Sequence, residues 1–326
     1  MSNTERDPAE VACGTTTDVA PNPVAELLPG RDVPLGRYTV VRRLLPQRTR
    51  RMVGAWCFLD HYGPEDVSSR PGMRVPPHPH TGLQTVSWLL DGEILHRDSL
   101  GSVQLIRPGQ LNLMTSGAGI SHSEESPAEH PPVLHGLQLW VALPAHARDV
   151  PAVFDHHADL PTLRDGALTA TVVVGEFGGL RSPARAYTPL VGVDLTLAAG
   201  GSATLTLDPT FEYAVIAMSG GPDVAGTPVG VGELLYLGCG RSLLDVSAAG
   251  DARLFLLGGE PFAEPLVMWW NFVGRTHDDI VAAREAWGDG TASDRFGTVH
   301  GYDGEPLPAP PMPTTRLVAR DREGRS

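Results

Sequence analysis

The stretch PPHPHTGLQTVSWLL, residues 76 to 90, sets His78 and His80 one residue apart at the mouth of an apolar run. Alternate side chains of a strand share a face, so the two imidazoles would project side by side. Two neighbouring imidazoles make half of a metal site. The ordinary alternative is a pair of surface histidines in a turn, helped by Pro76, Pro77 and Pro79. A later stretch, PGQLNLMTSGAGISHSEESP, holds His122 and Glu124 at the same spacing. If ISHSE is extended, these two side chains also share a face. Two antiparallel strands of one barrel, each offering such a pair, can surround an ion with three imidazoles and a carboxylate. Gly117 and Gly119 permit a tight bend or close backbone approach just before the second pair. This donor set is closed only around tetrahedral zinc. Iron, manganese, nickel or copper would keep one or two positions for water, dioxygen or substrate.

Strands must position these pairs, and the sequence around them is rich in strand signals. Between Val33 and Leu143, short runs such as YTVVRRLL, AWCFLDHYG, LQTVSWLL, EILHRDS and LNLMTSG alternate with Gly-Pro, Asp-Gly and Pro-Gly pairs. Asp91-Gly92 suits a hairpin turn. A second β-rich stretch runs from Ala167 to Leu257, where SATLTLD puts Ala203, Leu205 and Leu207 on one face. The fold class expected is all-β, two tandem jelly-roll-like β-barrels with a short C-terminal helix. The domains expected are a disordered polar segment 1–30, a metal-binding barrel 31–150, a second barrel 151–290 and a proline-rich tail 291–326. The tail is either mobile or an extended arm on a neighbouring surface. THDDIVAAREAWG predicts a helix over 277–287, with Thr276 and Asp279 as a capping box, Ile280, Ala283 and Trp287 on one face and Gly288 at its end. Trp269 and Trp270, if both in one strand, must face opposite ways.

Length and composition bound the remaining choices. The 326 residues are enough for two domains, and 41% hydrophobic residues allow each a sizeable core. The net charge of −13 makes DNA or an anionic membrane a poor partner, because phosphates would repel the chain. No apolar run is long enough to span a bilayer, and the N-terminus lacks the basic and apolar pattern of a signal peptide. Cys13, Cys57 and Cys239 are too few and too scattered for a disulfide framework, which fits a reducing cytoplasm. Cys57, in GAWCFLD, reads as a small buried residue.

FLDHYGP, PHPHTGLQTVSWLLDGEILHRDSLG, IRPGQLNLMTSGAGISHSE and LHGLQLWVALP together resemble the pirin family of the cupin superfamily. The resemblance covers Asp32 to Leu143 with high specificity. It extends more loosely to Trp287 through MWWNFVGRTHDDIVAAREAW, which is similar to the C-terminal domain of bacterial members. It implies a bicupin whose N-terminal barrel holds one divalent metal per chain, iron, through His78, His80, His122 and Glu124. One departure is Gln84, where many cupins and many pirins have a glutamate. In pirins that position is not the carboxylate ligand, so the site should survive with altered hydrogen bonding around it.

The other histidines have plainer readings. His61 and His96 read as structural residues, and His156-His157 as a linker pair. His135 could donate to a backbone carbonyl near the site, which makes it and Gln84 candidates for supporting the ligands. No histidine falls between His157 and His277, so the second barrel should hold no metal.

The resemblance implies quercetin 2,3-dioxygenase activity, cleaving a flavonol with O₂. Glu124 would then be ligand and catalytic proton acceptor for the flavonol 3-hydroxyl. The alternative is a redox-sensing regulatory protein acting through a protein partner. A third reading is a structural zinc cupin. Turnover of flavonols under air separates the first from the others.

Overall fold

The computed structural model describes residues 3–5, 8, 11–13, 20–35, 39–288 and 294–319. Its first half is a sandwich of two antiparallel sheets. The larger has seven strands in the order Val153–His157, Leu111–Thr115, Leu83–Asp91, Val133–Ala142, Trp56–Asp66, Thr39–Leu45 and Arg31–Leu35. The smaller has four, Arg74–His80, Ile120–Glu125, Ile94–Asp98 and Val103–Ile106. Val41, Tyr62 and Leu89 of the larger sheet meet Val75, Ile94 and Ile106 of the smaller in one buried cluster.

The second half repeats this plan. Its seven-stranded sheet runs Thr162–Asp165, Leu168–Val174, Leu190–Leu197, Ala252–Gly259, Glu212–Ser219, Glu233–Gly238 and Glu26–Pro29. The two large sheets pack against each other. Leu59, Val86, Trp88 and Leu139 of one share a core with Val173, Ile216, Tyr236 and Phe255 of the other. Both faces of these strands are therefore covered, which explains apolar runs such as YAVIAMS without polar alternation. Polar ties reinforce the seam: the Trp88 indole donates to Asp194 at 2.9 Å, and Gly54 N donates to Glu212 at 2.7 Å. The all-β, two-cupin expectation holds.

Three strands cross the expected domain boundaries. Val11–Cys13, in the segment expected to be disordered, pairs with Leu266–Trp269. Glu26–Pro29, in the same segment, pairs with Glu233–Gly238 of the second barrel, and Leu28 is buried there. The open edge of that sheet satisfies its backbone, which a polar composition alone does not reveal. Val153–His157, expected in the second barrel, instead pairs with Leu111–Thr115 of the first.

Trp269 and Trp270 also depart from the strand reading. The strand Leu266–Trp269 turns back at once into Phe272–Gly274, with Trp269 opposite Phe272. Trp270 is the first turn residue, at φ 54°, so the two indoles enter one cluster rather than opposite faces. A bulky residue at positive φ is strained and is held only by its surroundings. The helix forms at His277–Trp287 as expected, with the Thr276–Asp279 capping box and buried Ile280, Ala283 and Trp287. Residues 294–319 of the tail lie as an extended arm. Leu307 N donates to Pro77 O at 2.9 Å, and the Trp287 indole donates to Leu307 O at 2.7 Å. No helix among the described residues is long and apolar enough to cross a membrane.

Candidate metal centre

The strand Arg74–His80 is the edge of the smaller sheet of the first barrel. An edge strand tolerates Pro76, Pro77 and Pro79, since the missing amides leave no ladder bond broken. Among the described residues it pairs with the strand Ile120–Glu125, which sets His78 opposite His122 and His80 opposite Ile120. A register shift follows between His122 and Glu124. Such an irregularity re-aims a side chain.

The three imidazoles converge. Ring centroids are 5.0 Å apart for His78 and His80, 4.3 Å for His78 and His122, and 5.0 Å for His80 and His122. Their candidate ligand atoms lie within 4.8 Å of one another, and all three residues are fully buried. His78 Nδ1 lies 2.8 Å from Pro76 O, and His80 Nδ1 lies 3.1 Å from Asn271 O. Only a protonated Nδ1 can donate to a carbonyl, so both Nε2 atoms carry free lone pairs. His78 Nε2 is buried with no hydrogen-bond partner. An orphaned polar atom of this kind costs about 1–3 kcal/mol unless something fills the site.

His122 is oriented by a chain that the sequence reading missed. Asp98 lies 3.2 Å from His96 Nε2, and His96 Nδ1 lies 3.3 Å from His122 Nδ1. Burial pushes the Asp98 carboxyl up, but bonds from His96 and Ser102 outweigh it and hold the group below its ordinary range. An ionised Asp98 takes the His96 Nε2 proton as a hydrogen bond. His96 Nδ1 can then accept from His122 Nδ1–H, which leaves the lone pair on His122 Nε2, 3.1 Å from His80 Nε2. The His96 ring is stacked on Phe154 with centroids 4.3 Å apart. The signal was available in LHRDS, where His96 and Asp98 repeat the one-residue spacing of the other pairs.

Burial lowers all three imidazole pKa values, His80 to about 3 and His78 and His122 well below the ordinary histidine value, with neighbouring histidines adding to the effect at His78 and His122. They are neutral donors at pH 7. Glu124 lies in a second, overlapping group with His122 and His96. The four expected ligands therefore share His122 but do not form one tight set. Glu124 Oε1 is 3.1 Å from Ser87 Oγ, which lies 2.9 Å from Gln138 Oε1. The Tyr62 phenol is buried, and burial together with the Glu124 charge raises its pKa well above the ordinary value. It remains a neutral phenol. Among the described residues, both donor groups lie in the first barrel.

Two supporting candidates lie elsewhere. Gln84 donates to Thr115 Oγ1 at 2.9 Å and to Arg185 O at 3.0 Å, so it faces the seam between barrels. Among the described residues, His135 meets no carbonyl beside the site. Its Nε2 is 2.8 Å from His61 Nε2, in a buried pair. The role expected of His135 falls instead to the backbone carbonyl of Asn271, delivered by the Trp269–Phe272 turn.

Residues 38–141 match the family model described as Pirin, and residues 192–293 match the one described as Pirin C-terminal cupin domain. A Pseudomonas aeruginosa protein named "Putative quercetin 2,3-dioxygenase" is 46% identical over 314 residues, covering 96% of this chain and 98% of its own. A pirin-like protein of Caulobacter vibrioides is 38% identical over 78% of this chain and 89% of its own. A crystal structure of quercetin 2,3-dioxygenase from Acinetobacter baumannii superposes with a TM-score of 0.87 at 43% identity, covering 91% of this chain and 98% of that one.

Proposed function

The chain belongs to the pirin family, and from that premise we propose that it is a metal-dependent dioxygenase of the quercetin 2,3-dioxygenase type, cleaving a flavonol with O₂. The observation that carries this reading is the convergence of three neutral, buried imidazoles whose Nε2 lone pairs have no competing use at His78 and a fixed tautomer at His80 and His122. That donor chemistry fits a divalent first-row ion. His78, His80, His122 and Glu124 would hold it, one ion per chain, and the ion is iron in this reading; manganese, nickel, copper and zinc suit the same donors. When bound, the ion supplies Lewis acidity and open positions for substrate oxygen and dioxygen.

The chain's own groups do the rest. Glu124 takes the proton of the flavonol 3-hydroxyl, and Ser87 Oγ steadies the carboxylate from its Oε1 side. Asp98 and His96 keep His122 in the ligand tautomer, and Asn271 O does the same for His80. Tyr62 stays protonated and can donate to an oxyanion. Trp140, edge-on to His80 at 5.1 Å between ring centroids, helps exclude water. The enzyme works in the cytoplasm in this reading, on a small aromatic substrate, without nucleic acid or membrane.

The test is metal content and oxygen uptake on protein purified without added ions. One ion per chain with metal-dependent flavonol cleavage is the expected result. Stoichiometric metal with no turnover would leave the regulatory reading, in which the chain senses redox state and acts by binding a protein partner. Two firmly held ions per chain would overturn the assignment of the metal to the first barrel alone.

A further inference from the structure

The two barrels share one strand plan, so each residue of the metal centre has a counterpart in the second barrel. In the first, Arg74–His80 pairs with Ile120–Glu125, and His78 stands opposite His122. In the second, Ser202–Thr206 holds the same place in a four-stranded sheet and pairs with Leu243–Ser247. There Leu205 stands opposite Leu244. Leu207 follows Leu205 as His80 follows His78, and its amide extends the pairing to Ser242 O at 2.9 Å. Leucines thus stand where the first barrel has its three histidines, and all three are buried in one apolar cluster. They offer no lone pair to an ion.

A cavity of about 930 Å³ opens at the Leu207 end of this barrel, its apolar side formed by Phe177, Leu190, Val191, Leu207, Phe211 and Tyr213. Phe211 is partly exposed and meets Tyr213 at a tilt, with ring centroids 6.0 Å apart. Among the described residues no other ring and no guanidinium covers it. Phe177 and Leu207, core residues otherwise, keep 8% and 6% of their surface open. The charged groups of the rim balance as two cations and two anions. Arg181 pairs with Glu176, the Arg185 guanidinium lies 4.8 Å from the Tyr187 centroid, and Asp208 Oδ1 accepts from Thr210 N and Oγ1 at 2.9 and 2.7 Å. Gln84 of the first barrel holds the rim in place by donating to Arg185 O at 3.0 Å.

We propose that the mouth of the second barrel binds a neutral aromatic molecule, with its ring against Phe211 and above Leu207, in the place where the first barrel holds its histidines. An apolar guest covers the open edges of Phe177, Leu207 and Phe211 and gains by removing them from water. A ring adds the edge or offset contacts that aromatic pairs prefer. An ionised guest would lose hydration and find no excess of opposite charge to repay it. The volume lies in the range of small-molecule pockets, roughly 300–1,000 Å³. None of the residues grouped at the metal centre lines this cavity, and the proposal does not rest on the dioxygenase reading.

Equilibrium dialysis of the full chain tests this, with 2-naphthol as the neutral probe and 2-naphthoate as its charged counterpart, before and after chelation. Saturable naphthol binding, unchanged by chelation and about tenfold tighter than naphthoate, is expected. Loss of binding on chelation would put naphthol at the histidine cluster and overturn the proposal without touching the dioxygenase reading. Absence of flavonol turnover would in turn leave this site untouched. Naphthoate binding as tightly as naphthol, or tighter, would overturn the neutral class of ligand. Phe211→Ala removes the exposed ring and should weaken naphthol about fivefold, with the metal content of the first barrel unchanged as the sign of an intact fold. Phe211→Tyr keeps the ring and should bind within about twofold of the native chain. Equal affinity in the two variants would refute the placement at Phe211.

Discussion

His96 Nδ1 lies 3.3 Å from His122 Nδ1, so two buried imidazoles meet by their δ nitrogens, and Asp98 at the far end decides which one carries the proton. This makes His96 a positioning residue for a ligand it does not replace.

His96→Phe should keep the stack on Phe154 and remove the acceptor for His122. The ring is then free to turn, and metal affinity measured by chelator competition should fall about 10- to 100-fold, the usual cost of losing an outer partner. Asp98→Asn can still accept from His96 Nε2–H through its amide oxygen, so its loss should be several-fold smaller. Equal losses in the two variants would count against a relay of tautomers.

The His61–His135 pair predicts an acid sensitivity at the seam between barrels. Burial, then the neighbouring His135 and Arg42, lowers His61 to about 3; burial and Arg253 lower His135 to about 4, against a weaker upward pull from Asp91. Both values lie below the unfolded value of 6.5, so the unfolded chain binds more protons in between. The contribution is fully present above about pH 6.5 and shrinks as pH falls toward 4 and below. The urea midpoint of the native chain should therefore drop more steeply over that window than that of the His61→Gln/His135→Gln double variant.

The helix and the arm are predicted to be coupled through one side chain. Trp287 packs edge-on to Phe296 at 5.8 Å and donates its indole proton to Leu307 O. Trp287→Phe keeps most of the packing and should cost ~1–2 kcal/mol for the stranded carbonyl. Trp287→Ala empties the site and should cost ~3–5 kcal/mol. Thr276→Ala, which removes only the cap, should cost ~1 kcal/mol. Denaturant unfolding checks the order; equal losses for Phe and Ala would mean that the hydrogen bond, not the packing, holds the arm.

Much of the site was legible because a strand's period of two is easy to read. His78, His80, His122 and Glu124 announce themselves by spacing, and the capping box announces the helix. What escaped has a physical reason. The carbonyl of Asn271 holds His80 across 191 residues, and a backbone oxygen has no residue type to betray it. Glu26–Pro29 is a four-residue strand whose existence depends on a sheet edge formed by distant sequence. The condition that Trp269 and Trp270 share one strand fails because Trp270 opens the turn between Trp269 and Phe272, and its positive φ is set by that turn. His96 and Asp98 did carry the spacing signal, but a short run with a single imidazole looked structural.

The roles within the donor set separate by substitution. His80→Ala removes a neutral nitrogen whose tautomer is fixed by Asn271 O, so metal affinity and activity should fall together. Glu124→Gln keeps the shape and an oxygen within reach of Ser87 Oγ but removes the charge and the basic oxygen. Because Glu124 groups with His122 and His96 rather than within the three-histidine set, the ion should depend on it less than on His80. The Glu124→Gln chain should therefore retain most of its metal, as read by elemental analysis, while flavonol cleavage drops by about 10²- to 10⁴-fold, the range for loss of a general base. Equal loss of metal and turnover would reduce Glu124 to a ligand. Full turnover would remove the carboxylate from deprotonation of the substrate hydroxyl, and Tyr62, held neutral by burial, could not take its place as the base.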